Sequence, residues 1–456
     1  MKFFRRPSDI IRSSHLTLYP SMLFGVPGLK RTLSAFSVFA LISLGLSCSS
    51  YKTPQGGGTQ SGIKFRAFVS NPVHPSQSGG GTPALDIVDA SKDLLSFYAV
   101  SLGGSEPDAG MMAESPKRDR TLVFSPSNNG LAIVDNSQES VALTLGLPGA
   151  TDSMFVWTDN TTAFIAIPGV PVKPQTAPGG VGRINISSGA TTATIGIPGA
   201  HFLVPSPDGS KILVISDNAN TVTVLDPNLI TSGSPLTPVT GAFDKPVGAV
   251  FSADGTKAYV LNCGPECGGV AASISVVDMN TSSVPAPPTP IPGGATIALL
   301  QGSSLFVAGT PGAPLNDCAG ATPATAATSC GRLTVVDTSS LTPGTPVPIT
   351  DGYHNHMQMG ANGQLFIGAH NCANIKIAGG EERGCLSIAN TATGAIIAPP
   401  DNGDVTAIEP IPNRNVVYVC EGGALRIYDT TTDALQTNPE QPNVVGQAID
   451  VKVVDF

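Results

Sequence analysis

A short β-forming run that stops at a small polar residue recurs along this chain and limits what it can become. It reads LDIVD at Asp89, LAIVD at Asp135, RINIS at Ser187 and VTVLD at Asp226. It continues as ISVVD at Asp278, LTVVD at Asp337, LSIAN at Asn390 and LRIYD at Asp429. The eight copies are spaced by about 49 residues on average. A period of that length, with room for four short strands, predicts the blades of a β-propeller. One such sheet cannot bury both of its faces, so neighbouring units must stack around an axis.

The clearest unit runs from Phe251 to Asp278. In FSADGTKAYV, the Ala253–Thr256 segment is turn chemistry: Asp254 can bond its own backbone and Gly255 takes a positive φ without a steric penalty. The flanking runs are apolar and rich in β-formers. A sister unit, HFLVPSPDGSKILVISDNANTVTVLD, begins at His201. These units resemble the YVTN-type β-propeller repeats of bacterial surface and secreted proteins. The resemblance spans residues 63–456 and is weakest at 150–197 and 295–350. It implies an all-β propeller. On activity it is open, because the family holds binding proteins as well as lactonase-like enzymes.

The last strand, Gln447–Val454, has no successor and reads like the first strand of the other units. It is therefore expected to become the inner strand of the blade whose other three strands lie at 63–102, closing the ring and removing exposed edges. Eight blades follow, or seven if 150–199 or 295–350 is an insertion.

Charged residues make up 12% of the chain, and the 51 Gly and 40 Pro suit a molecule of many turns. A net charge of −9 without a basic cluster argues against nucleic acid and anionic membranes as partners. Lys30 and Arg31 precede the apolar run Thr32–Ser47, the pattern of a signal peptide that ends near Cys48. Leu44-Gly45-Leu46-Ser47-Cys48 resembles a lipoprotein lipobox, with Gly45 where Leu is usual. That implies a lipidated Cys48, the alternative being an ordinary secretory signal. Residues 1–21 read as an over-long start upstream of Met22. Residues 49–62 form a Gly/Ser-rich linker ahead of the propeller at 63–456.

In a propeller, the loops joining strands two to three and blade to blade share one face. Here those loops are long, whereas the other face has tight turns. Long loops on a rigid scaffold are where binding residues gather. Cys263 and Cys267, Cys318 and Cys330, and Cys372 and Cys385 each bracket such a loop and predict three local disulfides in an exported protein. Cys420 is left as a buried free thiol.

The sharpest chemical cluster is Tyr353-His354-Asn355-His356-Met357-Gln358-Met359, followed by His370-Asn371. On a regular strand His354 and His356 share a face, and Met357 and Met359 take the other. His201 opens another inner strand at a matching height. These residues could bond channel water, contact an organic ligand or hold a divalent metal through His354, His356 and His370. Asp351 and Asn371 are available to complete a metal shell, and Asp404 and Glu409 lie on the next blade. No cofactor is required by any motif. The repeated Asp at each strand ending is expected to cap a turn. Two functions follow. One is an envelope-tethered, monomeric propeller that binds a protein or small molecule through its loop-rich face and meets the membrane only through its lipid. The other is a lactonase-like hydrolase with a metal or a His/acid pair at the channel mouth.

Overall fold

Turn chemistry and alternation build each blade. In the Phe251–Asp278 region, Pro246–Phe251 pairs with Lys257–Asn262 across the turn where Gly255 has φ +69° and Asp254 accepts from Ser252 Oγ and the Thr256 amide. Lys257–Asn262 pairs next with Ser273–Asp278, which pairs with Thr289–Pro290. The computed structural model describes residues 60–75, 80–103, 107–173, 175–230, 234–311, 330–373, 375–376, 382–401 and 403–455. Within them the same antiparallel order recurs eight times.

The chain is an eight-bladed β-propeller. Blades 1 to 8 are numbered by their inner strands: Met112–Glu114, Met154–Val156, Phe202–Pro205, Pro246–Phe251, Ile297–Gln301, Tyr353–Met359, Val405–Pro410 and Asp450–Val453. Successive inner strands touch around the ring, except that the blade 3 inner strand meets the second strand of blade 2, Thr162–Ala166. Blade 8 is the closing blade: Asp450–Val453 pairs with Arg66–Pro75, with Gly81–Asp89 and Leu94–Ser101 outside it. The irregular stretches at 150–199 and 295–350 are blades 2 and 5, not insertions. Blade 5 carries an additional strand, Val347–Asp351, on Cys330–Asp337.

Each seam between neighbouring blades holds one apolar cluster. Leu122, Phe124 and Ile133 of blade 1 meet Met154, Ala163 and Ile165 of blade 2. Val419 and Tyr428 of blade 7 meet Phe366 and Ile388 of blade 6. Strand alternation sends successive residues to opposite seams: Leu122 faces blade 2 while Val123 faces blade 8. The blades are thus held by side-chain burial, and hydrogen bonding runs within each sheet.

The face without long loops is closed by bonded charges. Arg66 grips Asp455 through Nε (2.7 Å) and reaches Glu139 at 2.8 Å, locking both ends of the propeller to blade 1. Seven of the eight strand endings cap their turns as expected, with a carboxylate or amide oxygen accepting from the amide two residues on. In blade 2 the capping residue is Asn185, not Ser187. The strand Gly180–Asn185 stops two residues earlier, and Ser187 is the donor.

Candidate functional site

Tyr353–Met359 is the innermost strand of blade 6, as its pattern suggests, but it is not regular. His354 pairs with Ala369 and His356 with Gly368, so Asn355 is an extra residue in a β-bulge. A bulge re-aims the side chains on either side of it, and the two histidines part. His354 is fully buried in the seam with blade 5, where its Nε2 lies 3.0 Å from the Thr350 carbonyl. Gly331 admits the ring, since a Cβ there would collide with His354 Cε1. Met357 shares that seam. The expectation that His354 and His356 share a face is therefore corrected: His354 goes with Met357, and His356 turns to the channel with Asn355. Burial pushes the His354 imidazole down to about 4, so at neutral pH it is uncharged and Nε2 carries the proton toward Thr350.

Similar bulges interrupt the inner strands of blades 4 and 7, at 246–248 and 405–407. All three lie at the end of the channel that opens on the loop-rich face. There a cavity of about 830 Å³ is lined by Asp152, His201, Tyr353, Asn355, His356 and His370 over an apolar wall that includes Leu203, Val250 and Ile297. Four of the residues singled out from the sequence thus come together. Asn371 does not line it; this residue sits at φ +57° and its amide donates to Asp404 at 2.7 Å.

His201 bridges two blades. Its Nδ1 lies 3.0 Å from Asp217 and its Nε2 3.1 Å from Asp152, while its ring stacks on Phe202. Burial alone would lower its pKa, but the two carboxylates outweigh it and push it up to about 9. At neutral pH it is an imidazolium between two carboxylates, and the trio carries one net negative charge. Burial, with the charges of Glu266 and Asp217, pushes the Tyr353 phenol up to about 12, so it stays neutral. Its ring stands 5.1 Å from that of His370. Burial, reinforced by the charges of Lys452 and His370, pushes His356 down to about 4. Behind the wall, burial pushes Glu266 up to about 7 although it accepts from the Thr310 amide.

The channel continues past Asp152, Asn355, His356 and Ile297 into a second cavity of about 610 Å³, bordered by Asp450 and Lys452 of the closing blade. Lys452 Nζ stands 3.2 Å from Asp450 and 3.9 Å from Glu409, and these carboxylates outweigh burial to keep it charged. Glu409 is therefore tied to the closing strand and does not reach the mouth.

Cys263 with Cys267 and Cys372 with Cys385 form disulfides. Cys330 is disulfide-bonded as well, and Cys318 lies outside the described residues. Cys420 is a buried free thiol. Cys48 and the signal and linker segments up to residue 59 also lie outside the described residues. Among the described residues, the one group of three or more His, Cys, Asp or Glu whose donor atoms all lie within 4.8 Å of one another is Cys372, Cys385 and Asp404. Its two sulfurs are joined to each other, which removes them as thiolate ligands. Asp351 is buried and accepts from the Ala373 amide. The bulge separates the His354 ring from His356, so the three imidazoles do not share one coordination point.

Sequence reasoning overlooked Asp152 and Asp217. Both were available to it: Asp152 precedes the blade 2 inner strand, and Asp217 follows the second strand of blade 3, as His370 ends that of blade 6. Lining up strand ends as well as strand interiors would have placed all of them at one height.

The molecule is thus an eight-bladed propeller with a polar-rimmed mouth over an apolar channel wall. Its fold is similar to that of the hydrazine synthase of Kuenenia stuttgartiensis, with TM-score 0.52 and 14% identity over 71% of this chain and 95% of that one. It is also similar to dihydro-heme d1 dehydrogenase NirN in complex with DHE, with TM-score 0.59 and 12% identity over 88% of this chain and 77% of that one. At such identities the likeness is one of fold alone. No family model and no curated protein matches the sequence.

Proposed function

We propose that the protein is an exported, lipid-anchored binding propeller that takes a small organic molecule into the channel mouth on its loop-rich face. The observation that carries this reading is the gathering of His201, Tyr353, His356 and His370 around one cavity of about 830 Å³. Polar groups over an apolar wall are the usual makeup of a small-molecule site. The charge pattern narrows the ligand. His356 and Tyr353 are neutral, and the His201 trio keeps one net negative charge with the Asp152 side chain 71% exposed. Lys452, deeper in the channel, is already matched by Asp450 and Glu409. A neutral or cationic ligand, such as an aromatic amine, fits that field better than an anion.

The disulfides support export, because bonds of this kind persist in oxidising compartments. The lipobox-like Leu44–Cys48 and the Gly/Ser-rich linker support tethering at the envelope. The YVTN-like repeats are consistent with such a surface role, as is action by a single copy of the chain.

A thermal-shift panel balanced among small amines, neutral aromatics and carboxylates tests the reading. Amines and neutral aromatics are expected to raise the melting temperature of the wild type and to lose that effect in a Tyr353→Ala, His356→Ala variant. Stabilisation confined to carboxylates, or unchanged in the variant, would contradict it.

A further inference from the structure

Among the described residues, the exposed aromatic side chains are Phe97 (72% exposed) and Tyr98 (39%), and both lie on the outer strand of closing blade 8. Leu94 on the same strand is 49% exposed. The register explains the exposure. Asp86 pairs with Ala99 and Val88 with Leu95, so Ser96, Phe97 and Tyr98 span a space that one residue fills on the partner strand, and they arch outward. The outer strands of blades 1 and 2, SVALTLG and ATTATIG, carry no exposed large apolar side chain. A bulged edge strand normally defends itself with charge or polarity. This one presents a Phe, a Tyr and a Leu.

The chain enters the propeller beside this strand. The Ala90 amide donates to the Phe65 carbonyl, and Phe65 and Leu95 pack on the same apolar cluster. Ser61 bonds Glu139 at the neighbouring turn of blade 1. Lys64 and Lys92 are exposed at the same corner, Lys92 with its Nζ 3.0 Å from Asp89. Only residues 49–60 separate Cys48 from this point, a reach of about 20 Å for a Gly-rich segment at 5–6 Å × √n.

We infer that the outer strand of blade 8 is a lipid-contact surface, with Phe97, Tyr98 and Leu94 entering the headgroup boundary and Lys64 and Lys92 meeting the headgroups. The inference rests on the lipid-anchor reading for its geometry. A flexible linker sets how far the propeller stands from the bilayer but not which way it faces. An aromatic and lysine patch at the point of entry supplies that orientation.

The test uses the full chain with vesicles of phosphatidylethanolamine and phosphatidylglycerol, some carrying brominated acyl chains. A Phe97→Trp variant reports contact, and the native Trp157, buried in blade 2, is the internal reference. Quenching of the new tryptophan but not of Trp157 is expected. A Phe97→Ser, Tyr98→Ser variant is expected to lose vesicle affinity at least about tenfold. Mass spectrometry of the N-terminal peptide reads lipidation of Cys48 separately. A lipidated Cys48 with an unquenched residue 97 overturns the lipid contact and leaves the anchor standing. Quenching without lipidation upholds the contact and removes the anchor. Neither signal overturns both. A dimer in sedimentation that Phe97→Ser disperses would assign the face to a second copy and overturn the proposal.

Discussion

On the tight-turn face, Asp93 accepts from Tyr418 Oη at 2.6 Å, Gln436 Nε2 at 2.9 Å and the Arg414 guanidinium at 2.8 Å. Although burial opposes ionisation, these donors hold its carboxyl below the usual carboxylate range. Behind the channel wall, burial pushes Glu266 up to about 7 although it accepts from the Thr310 amide. Burial opposes ionisation at both carboxylates, and the difference lies in how many donors surround them. Where donors are plentiful, a buried charge fastens blades together; where they are few, it stays responsive to whatever enters. The same contrast separates two histidines on one strand. His354 is enclosed in a seam with a carbonyl partner, and His356 borders open space.

Substitutions break this contrast in order of size. Asp93→Ala leaves Arg414 and Tyr418 without their acceptor and is expected to cost about 3–4 kcal/mol in urea unfolding. His354→Ala opens a cavity and strands the Thr350 carbonyl, for about 2–4 kcal/mol. His356→Ala is expected to change stability by under about 1 kcal/mol and to act on ligand binding instead. Equal stability losses at the two histidines would erase the distinction.

Acidity sharpens the comparison further. The folded His354 titrates near 4 and a free imidazole near 6.5, so the unfolded chain binds more protons between those values. Its contribution is full above about pH 6.5 and is lost as pH falls toward 4; His356, also held near 4, adds a slope of the same sign, so His354→Gln should remove only part of it. His201 has the opposite sign. Its folded pKa of about 9 makes its contribution full below about pH 6.5 and lost as pH rises through 9. Because Asp152 is exposed, the His201 effect should stay near about 1 kcal/mol in chemical unfolding across that range. The smallest change belongs to the turns. Asp278→Asn should shift stability by under about 0.5 kcal/mol, since Asn185 and Asn390 already cap the same turn in other blades.

The propeller was legible in the sequence because its signals are local and repeated. Each strand ending carries its own cap, each turn its own Gly or Asp, and the unmatched last strand implied closure on Arg66–Pro75. The 372–385 and 263–267 disulfides were legible for the same reason. The mouth was only half legible. Tyr353, His356 and His370 were found by their residue types, but the sides they face depend on one unpaired residue, Asn355, which strand alternation cannot reveal. The enclosure of His354 depends on Gly331 and Thr350 of another blade. The charge on His201 depends on Asp152, 49 residues earlier, and on Asp217. Such contacts come from stacking the blades, and no window of sequence contains them.

The most direct measurement is isothermal titration of the purified protein with phenethylammonium and with phenylacetate, in the wild type and in Asp152→Asn. Saturable binding of the amine, none of the carboxylate, and a weakened amine in the variant is the result this account predicts. Equal binding of both probes, or amine binding indifferent to Asp152, would contradict a negatively biased channel mouth as the site of function.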